Sequence, residues 1–221
     1  WARCDIKSVG LLAQVLAKME QNGVTIDVKE LQVVGDELRA RLAASTTKIH
    51  GLAGHVFNIA SPKQLGEVLF DELKLPVIKK TKTGYSTDAE VLERLASKHE
   101  ICREILEHRK IDKLINTYVD VLSRDVHDDS RVRATFQMTT GQTGRLITTD
   151  PDLQRTPVKT DDGVRIRRAF VATKDALGRE RLLIDADWSQ IELRVLAHVT
   201  NDEQLVAAYR EGVDIHRKTA A

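Results

Sequence analysis

Leu183-Ile184-Asp185-Ala186-Asp187-Trp188-Ser189-Gln190-Ile191-Glu192-Leu193-Arg194 is the stretch on which the reading of this chain turns. The apolar run from Arg181 to Asp187 predicts a β-strand ending in a carboxylate. Amphipathic spacing from about Gln190 to His198 predicts a helix directly after it. Strand side chains repeat every two residues, so Asp185 and Asp187 share a face. A carboxylate held at a strand end is positioned before a divalent cation arrives. Spacing alone leaves a second reading open, in which Asp187 or Ser189 merely caps the helix.

Upstream, the first half reads as helices. Leu11, Leu12, Val15, Leu16 and Met19 form one stripe between Val9 and Gln21, and Asn22-Gly23 ends it. Leu31, Val34, Leu38, Leu42 and Ile49 predict a longer helix from about Val28 to Ile49. Ser61-Pro62-Lys63-Gln64 has the form of a capping box with proline in the first turn, opening a helix to about Leu73. Val77 to Ser86, with Lys79, Lys80, Lys82 and Gly84, reads as a basic loop. Thr87-Asp88-Ala89-Glu90 is a second capping box, opening a helix to about Ser97, and a further helix runs from about Glu100 to Ser123. Past residue 128 the pattern changes. Arg131 to Met138 alternates as a strand, residues 139–168 read mostly as ordered loop, and short helices are expected at Asp202–Glu211 and from Asp214 onward. The expected fold class is α+β, with a helical region over 1–128 and a strand-containing region over 129–221.

Composition narrows the function. With 42% hydrophobic and 30% charged residues the chain is expected to fold. Its net charge of +1 provides no global field for nucleic acid, so any such binding must come from local patches. Aromatics at 4% argue against a platform for stacking many single-stranded bases. Cys4 and Cys102 lack zinc or disulfide spacing, which points to a reducing compartment. No membrane span or secretory leader is read, so a cytoplasmic, intracellular protein is expected.

Five blocks then carry a resemblance. Asp187-Trp188-Ser189-Gln190-Ile191-Glu192-Leu193-Arg194 resembles motif A of the bacterial DNA polymerase I family, the family A DNA polymerases, usually D-Y-S-Q-I-E-L-R. Thr143-Gly144-Arg145-Leu146, with Asp150-Pro151 and Leu153-Gln154, resembles its T-G-R-L-S-S…P-N-L-Q-N-I-P element, and Arg165-Ile166-Arg167-Arg168-Ala169-Phe170 its R-I-R-R-A-F run. Glu211-Gly212 with Asp214-Ile215-His216 is similar to the E-G-x-D-I-H that follows motif A. Phe57-Asn58, Ser61, Gln64-Leu65 and Val68-Leu69-Phe70 resemble the thumb's F-N-x-x-S-x-x-Q-L-x-x-V-L-F.

The resemblance implies a mostly helical thumb followed by the start of an antiparallel palm sheet with flanking helices. It implies template-directed deoxynucleotidyl transfer to a primer 3′ end in DNA replication and repair, with primer–template DNA and deoxynucleoside triphosphates as partners. Two Mg²⁺ ions would serve the reaction. Asp187 matches the catalytic aspartate that ligates both metals, and the backbone carbonyl of Trp188, where the family usually has Tyr, matches a further ligand. Glu192 matches the gate against a ribose 2′-hydroxyl, with Gln190 beside it at the nucleotide, and His216 matches a triphosphate contact. Arg145 matches a reader of the minor groove at the primer terminus, where correct pairs present similar acceptors. Gln154, Arg155 and Lys159 continue that DNA-facing element. Lys79, Lys80 and Lys82 ahead of Ser86 and Thr87 at a helix start suit a phosphate site. Lys113 and Asn116 lie in a segment resembling R-x-x-x-K-L-x-x-T-Y, another backbone contact.

Departures from the pattern fall on the DNA-facing side. Asp152 and Arg155 replace asparagines, Ile147 and Thr148 replace two serines, and Gln137-Met138 replace Asn-Gln; Arg155 is expected to offset the charge of Asp152. The sequence contains no K-x-x-x-x-x-x-Y-G element and no H-D-E, so the fingers and the second catalytic carboxylate are expected outside it, and this fragment is not expected to catalyse addition alone. The full enzyme is expected to be a monomer, bacterial and cytoplasmic, with an organellar location left open. Two alternatives are a non-catalytic duplex-DNA binding module derived from such a thumb and palm, and a half-polymerase assembled with a separately encoded partner.

Overall fold

A computed structural model describes residues 6–82, 84–174 and 177–213. Packing divides the chain into Trp1–Arg181 and Leu182–Ala221.

The first unit is organised by two long helices. Helix α2, Val28–Ala53, follows helix α1, Ile6–Asn22, and the short strand β1, Val24–Ile26. The Asp27 carboxylate accepts hydrogen bonds from the amides of Lys29 and Glu30, which starts α2, and Gly54 at φ 83° ends it. At 26 residues it spans about 39 Å, long enough to serve two cores. Leu31, Val34 and Leu38 enter one and Ile49 the other.

The core at the Ile49 end collects helix α3 (Pro62–Gly66), which continues through a π-helical turn Glu67–Glu72, helix α4 (Ala89–Ala96), and the first half of helix α5 (Glu100–Leu114). Ser61 accepts from the Gln64 amide as the sequence suggests, but the Gln64 side chain returns to the amide of Asn58, not to that of Ser61. The thumb-like F-N-x-x-S-x-x-Q pattern is therefore a local fastening. The expected basic loop contains a small hairpin, β2 (Lys80–Thr81) with β3 (Gly84–Tyr85).

The other core lies where α5 passes through a π turn, Ile115–Val119, into α6, Asp120–Asp125. Ile111, Ile115, Val119 and Leu122 pack there against α2 and against residues far along the chain, Val132, Ile166 and Ala169. β1 is the middle strand of three, antiparallel to β4 (Arg131–Val132) and β7 (Phe170–Val171), with Val24 opposite Val132 and Ile26 opposite Phe170. Gly23 makes the entry into β1 possible. It has φ 61°, and a Cβ there would lie 2.6 Å from the carbonyl oxygen of Val132. Because 24–26, 131–132 and 166–170 share this core with α2, the boundary expected near residue 128 falls inside a packed body.

Three expectations need correction. The single strand expected over 131–138 is two: β4 joins β1, and β5 (Thr135–Gln137) turns to pair with β6 (Ile147–Thr149). Different partners pull the two halves apart. The stretch read mostly as loop, 139–168, holds β6, a 3₁₀ turn Leu153–Arg155, and helix α7, Asp161–Arg168. Thr160 caps α7 through the Gly163 amide, and Ile166 is buried beneath it. The strand expected over 181–187 does not form. Isolated strands leave their N–H and C=O groups unpaired, and among the described residues this segment belongs to no hydrogen-bonded sheet.

The second unit contains helix α8, Ile191–Thr200, and helix α9, Glu203–Arg210, the latter capped by Asp202 at the Leu205 amide. The helix expected from Asp214 lies outside the described residues. Among the described residues no helix is long and apolar enough to cross a membrane.

Candidate functional site

Most of residues 182–194 are exposed, with Gln190 and Leu193 half-buried. Leu182 is 85% exposed, Ile184 90% and Trp188 77%, and Asp185, Asp187 and Glu192 are exposed too. A turn follows: the Ile191 amide donates to the Trp188 carbonyl at 3.2 Å. That carbonyl, expected to ligate metal, already closes the first turn into α8, leaving one lone pair. Gln190 adopts φ 53° and accepts from the Tyr209 hydroxyl at 3.1 Å. The Arg194 guanidinium lies 4.5 Å from the Tyr209 ring centroid and donates to the Ser189 carbonyl. Gln190 and Arg194 thus fasten α8 to α9, a role the motif reading did not assign to Gln190. His216 lies outside the described residues.

The oxygen donors here match Mg²⁺ in kind, a carboxylate and a carbonyl, but not in number, since Mg²⁺ takes six. Among the described residues no three His, Cys, Asp or Glu side chains gather as a metal cluster. Asp187 fits a site completed by other ligands and not one closed by this unit.

In the first unit, Arg145 is exposed at the tip of the β5–β6 hairpin. The loop beneath it is tight: Gly144 donates to the Gly141 carbonyl, and a Cβ on Gly141 would meet the Arg145 carbonyl oxygen at 2.9 Å. Gln154 is bound up with the same hairpin. Its Nε2 donates to the Leu146 carbonyl and its Oε1 accepts from the Thr148 amide, each at 3.0 Å. Arg155 pairs with Asp152 at 3.2 Å, the offset expected from the sequence.

Lys113 and Lys159 come together. Both line an open cleft of about 510 Å³ between the end of α5 and the start of α7, with Lys110, Tyr118, Glu107 and Asp161. Asn116 is exposed one turn on, donating to Asp112. The Tyr118 hydroxyl donates to the Arg155 carbonyl at 2.6 Å and ties α5's π-helical extension to the 3₁₀ turn.

At the basic hairpin the expectation holds only in part. Helix α4 is capped by Asp88, one residue past the cap expected at Thr87, and its carboxylate accepts from the Val91 amide. Lys79 pairs with the same carboxylate at 2.8 Å, and the Ser86 hydroxyl donates to it. The Lys79 hydrogen bond, then those of Val91 and Ser86, holds the Asp88 carboxyl down to about 2. Ser86 and Thr87 are turned inward, 4% and 6% exposed. An anion thus already sits at this helix N-terminus, so Lys79, Ser86 and Thr87 do not form the open phosphate site expected. Lys80 and Lys82 remain exposed, with the Lys80 ammonium 6.0 Å from the Tyr85 ring centroid.

Sequence reasoning missed Arg109 and Tyr118. Half-buried Arg109 donates to the Thr87 carbonyl at 2.5 Å and lines a second cleft, about 800 Å³, with Lys63, Asp71 and Tyr85. The signal was present: these two residues are the first and last of the R-x-x-x-K-L-x-x-T-Y pattern.

Comparison with known proteins gives the family. The model of the family "DNA polymerase family A" matches residues 28–221. DNA polymerase I of Bacillus subtilis (strain 168) is 50% identical over 210 residues, 95% of this chain and 23% of the relative. The thermostable DNA polymerase I of Thermus thermophilus is 49% identical over 213 residues, 95% of this chain and 25% of its own. The chain thus spans about a quarter of the length of these curated relatives. The POL domain of Pol1 from M. smegmatis, solved in complex with DNA primer–template and dNTP, superposes with a TM-score of 0.79 at 39% identity, over 92% of this chain and 35% of that one.

Proposed function

The chain belongs to DNA polymerase family A, and from that premise we propose that it supplies the thumb and the first half of the palm of a DNA-directed DNA polymerase. The observation that carries the reading is the exposed Asp187 immediately ahead of α8, within a residue pattern that matches motif A. Primer–template DNA and deoxynucleoside triphosphates are the proposed partners. Asp187 and the free lone pair of the Trp188 carbonyl would help hold Mg²⁺, which when bound neutralises triphosphate charge and activates the primer 3′-hydroxyl.

The remaining residues bind and orient. Arg145, on its hairpin tip, is aimed by a short loop and suits a contact in the minor groove, where acceptors are alike for all correct pairs. Lys113, Asn116 and Lys159 at one cleft, and Lys80 and Lys82 on the hairpin, suit phosphates of the duplex backbone. Glu192, in the first turn of α8, suits exclusion of a 2′-hydroxyl.

In the polymerase carrying this chain, Asp187→Ala is expected to lower single-turnover incorporation by roughly a thousand-fold or more while primer–template affinity changes little. Near-normal incorporation would remove the motif A assignment. Replacing Lys113 or Lys159 by Ala should reduce the slope of log affinity against log salt by about 0.9 each; an unchanged slope counts against the phosphate role.

A further inference from the structure

Gln154 falls in the P-x-L-Q element read from the sequence as a DNA contact, yet each end of its carboxamide makes a hydrogen bond within the protein. Strand β6 has two edges. Phe136 lies opposite Thr148, but the Thr148 amide donates to Gln154, so that pair is a non-hydrogen-bonded one and residues 147 and 149 turn their peptide groups toward β5. In an antiparallel ladder the alternate residues, Leu146 and Thr148, then face the other edge. No strand covers that edge among the described residues. Gln154 covers it: Nε2 donates to the Leu146 carbonyl and Oε1 accepts from the Thr148 amide, both at 3.0 Å. One side-chain amide thus plays the part of one peptide unit of a neighbouring strand. The Gln154 amide also donates to Thr148 Oγ1, and that buried hydroxyl donates to Asp152. Leu146 directly follows Arg145, so the grip lies one peptide from the guanidinium-bearing residue. Next to Gln154, the Arg155 carbonyl accepts from Tyr118 at the end of the long helix run.

We propose that Gln154 is a positioning residue for Arg145: it clamps the open edge of β6 and fixes the hairpin tip, while Tyr118 anchors the clamp to the thumb helix. The proposal rests on the reading of Arg145 as a primer-terminus contact. Its consequence is that Gln154 influences DNA through Arg145 and not by touching DNA. Loss of the clamp is expected to let Arg145 shift by an ångström or so, enough to lower a geometry-dependent step by roughly ten- to a hundred-fold.

A double-mutant cycle in the polymerase carrying this chain tests it, reading single-turnover extension of a paired and of a mispaired primer terminus. Gln154→Ala and Arg145→Ala are expected to slow extension of the paired terminus by similar factors, to affect the mispaired terminus less, and to be no worse together than Arg145→Ala alone. Amide exchange at Thr148 in the 221-residue chain should rise at least ten-fold in Gln154→Ala. Should that variant unfold, Gln154→Glu serves instead, keeping the acceptor for Thr148 while losing the donor to Leu146. Multiplying losses in the double variant would overturn the proposal while leaving Arg145 as a DNA contact. A silent Arg145→Ala would overturn the reading of Arg145 itself. Unchanged Thr148 exchange would dispose of the clamp.

Discussion

Residues 24–171 and residues 182–213 obey opposite rules. In the first stretch nearly every apolar side chain that sequence spacing places on a face finds a partner: Leu31, Val34 and Leu38 meet Ile111, Ile115 and Val119, and Ile26 meets Phe170. In the second, Leu182, Leu183, Ile184, Trp188, Val195 and Val199 are exposed, and Ala197 and Ala208 are the buried apolar residues of its helices. The second stretch is nevertheless the one with the more specific sequence pattern. A stretch can thus be distinctive in sequence without being self-sufficient in structure.

That contrast is most directly broken by core substitutions on either side of it. Leu31→Ala, in a fully buried position, should cost about 2–5 kcal/mol. Ile184→Ala, at a position with almost nothing around it, should change stability by no more than about 0.5 kcal/mol. Denaturant unfolding of the chain measures both, and a comparable cost at the two sites would erase the distinction.

A smaller effect tests whether the first stretch depends on close backbone approach as well as on apolar burial. Gly23→Ala places a Cβ 2.6 Å from the Val132 carbonyl oxygen at a residue whose φ is 61°. The expected loss is about 1–3 kcal/mol, concentrated in exchange of the amides of β1 and β4. A neutral substitution would mean the three-stranded sheet yields readily.

The same contrast explains what could be read from the sequence. Helix α2 was legible because its apolar residues recur along one face, although it runs past the expected end near Ile49 to Ala53, where Gly54 stops it. The short strands were not, because each is defined by a distant partner: β4 by β1 and β5 by β6, over pairings of two or three residues. Helix α7 was hidden by its charges, with Ile166 as the one large side chain it buries completely. The strand expected at 181–187 followed a valid apolar pattern that lacks anything to pair with among the described residues. At the candidate site, Asp187, Glu192 and Arg145 are proposed from pattern, and all three are exposed. The phosphate reading of Lys79, Ser86 and Thr87 failed because sequence shows a helix start but not that Asp88 already occupies it. Arg109, Tyr118 and the internal role of Gln154 depend on contacts across the fold.

The least effect expected is a dependence on pH, and it separates the two regions once more. His108 lies on α5 against α2, where its Nε2 is 3.1 Å from Thr46 Oγ1. Burial moves its pKa below the usual 6.5; nearby Arg109 and His50 act in the same direction and Asp112 opposes them. A histidine whose folded pKa is depressed binds fewer protons folded than unfolded, so its neutral form stabilises the helix pair above the unfolded value near 6.5. That contribution is lost progressively as pH falls from there toward the folded value. Thermal unfolding of the first unit should therefore weaken between neutral and mildly acidic pH, and His108→Gln, which can still meet Thr46 but does not titrate, should flatten the slope. Because His108 packs between α2 and α5, the change should appear in amide exchange of those helices and leave the motif segment 182–188 unmoved. An equal pH response in both places would mean that the titrating group lies elsewhere.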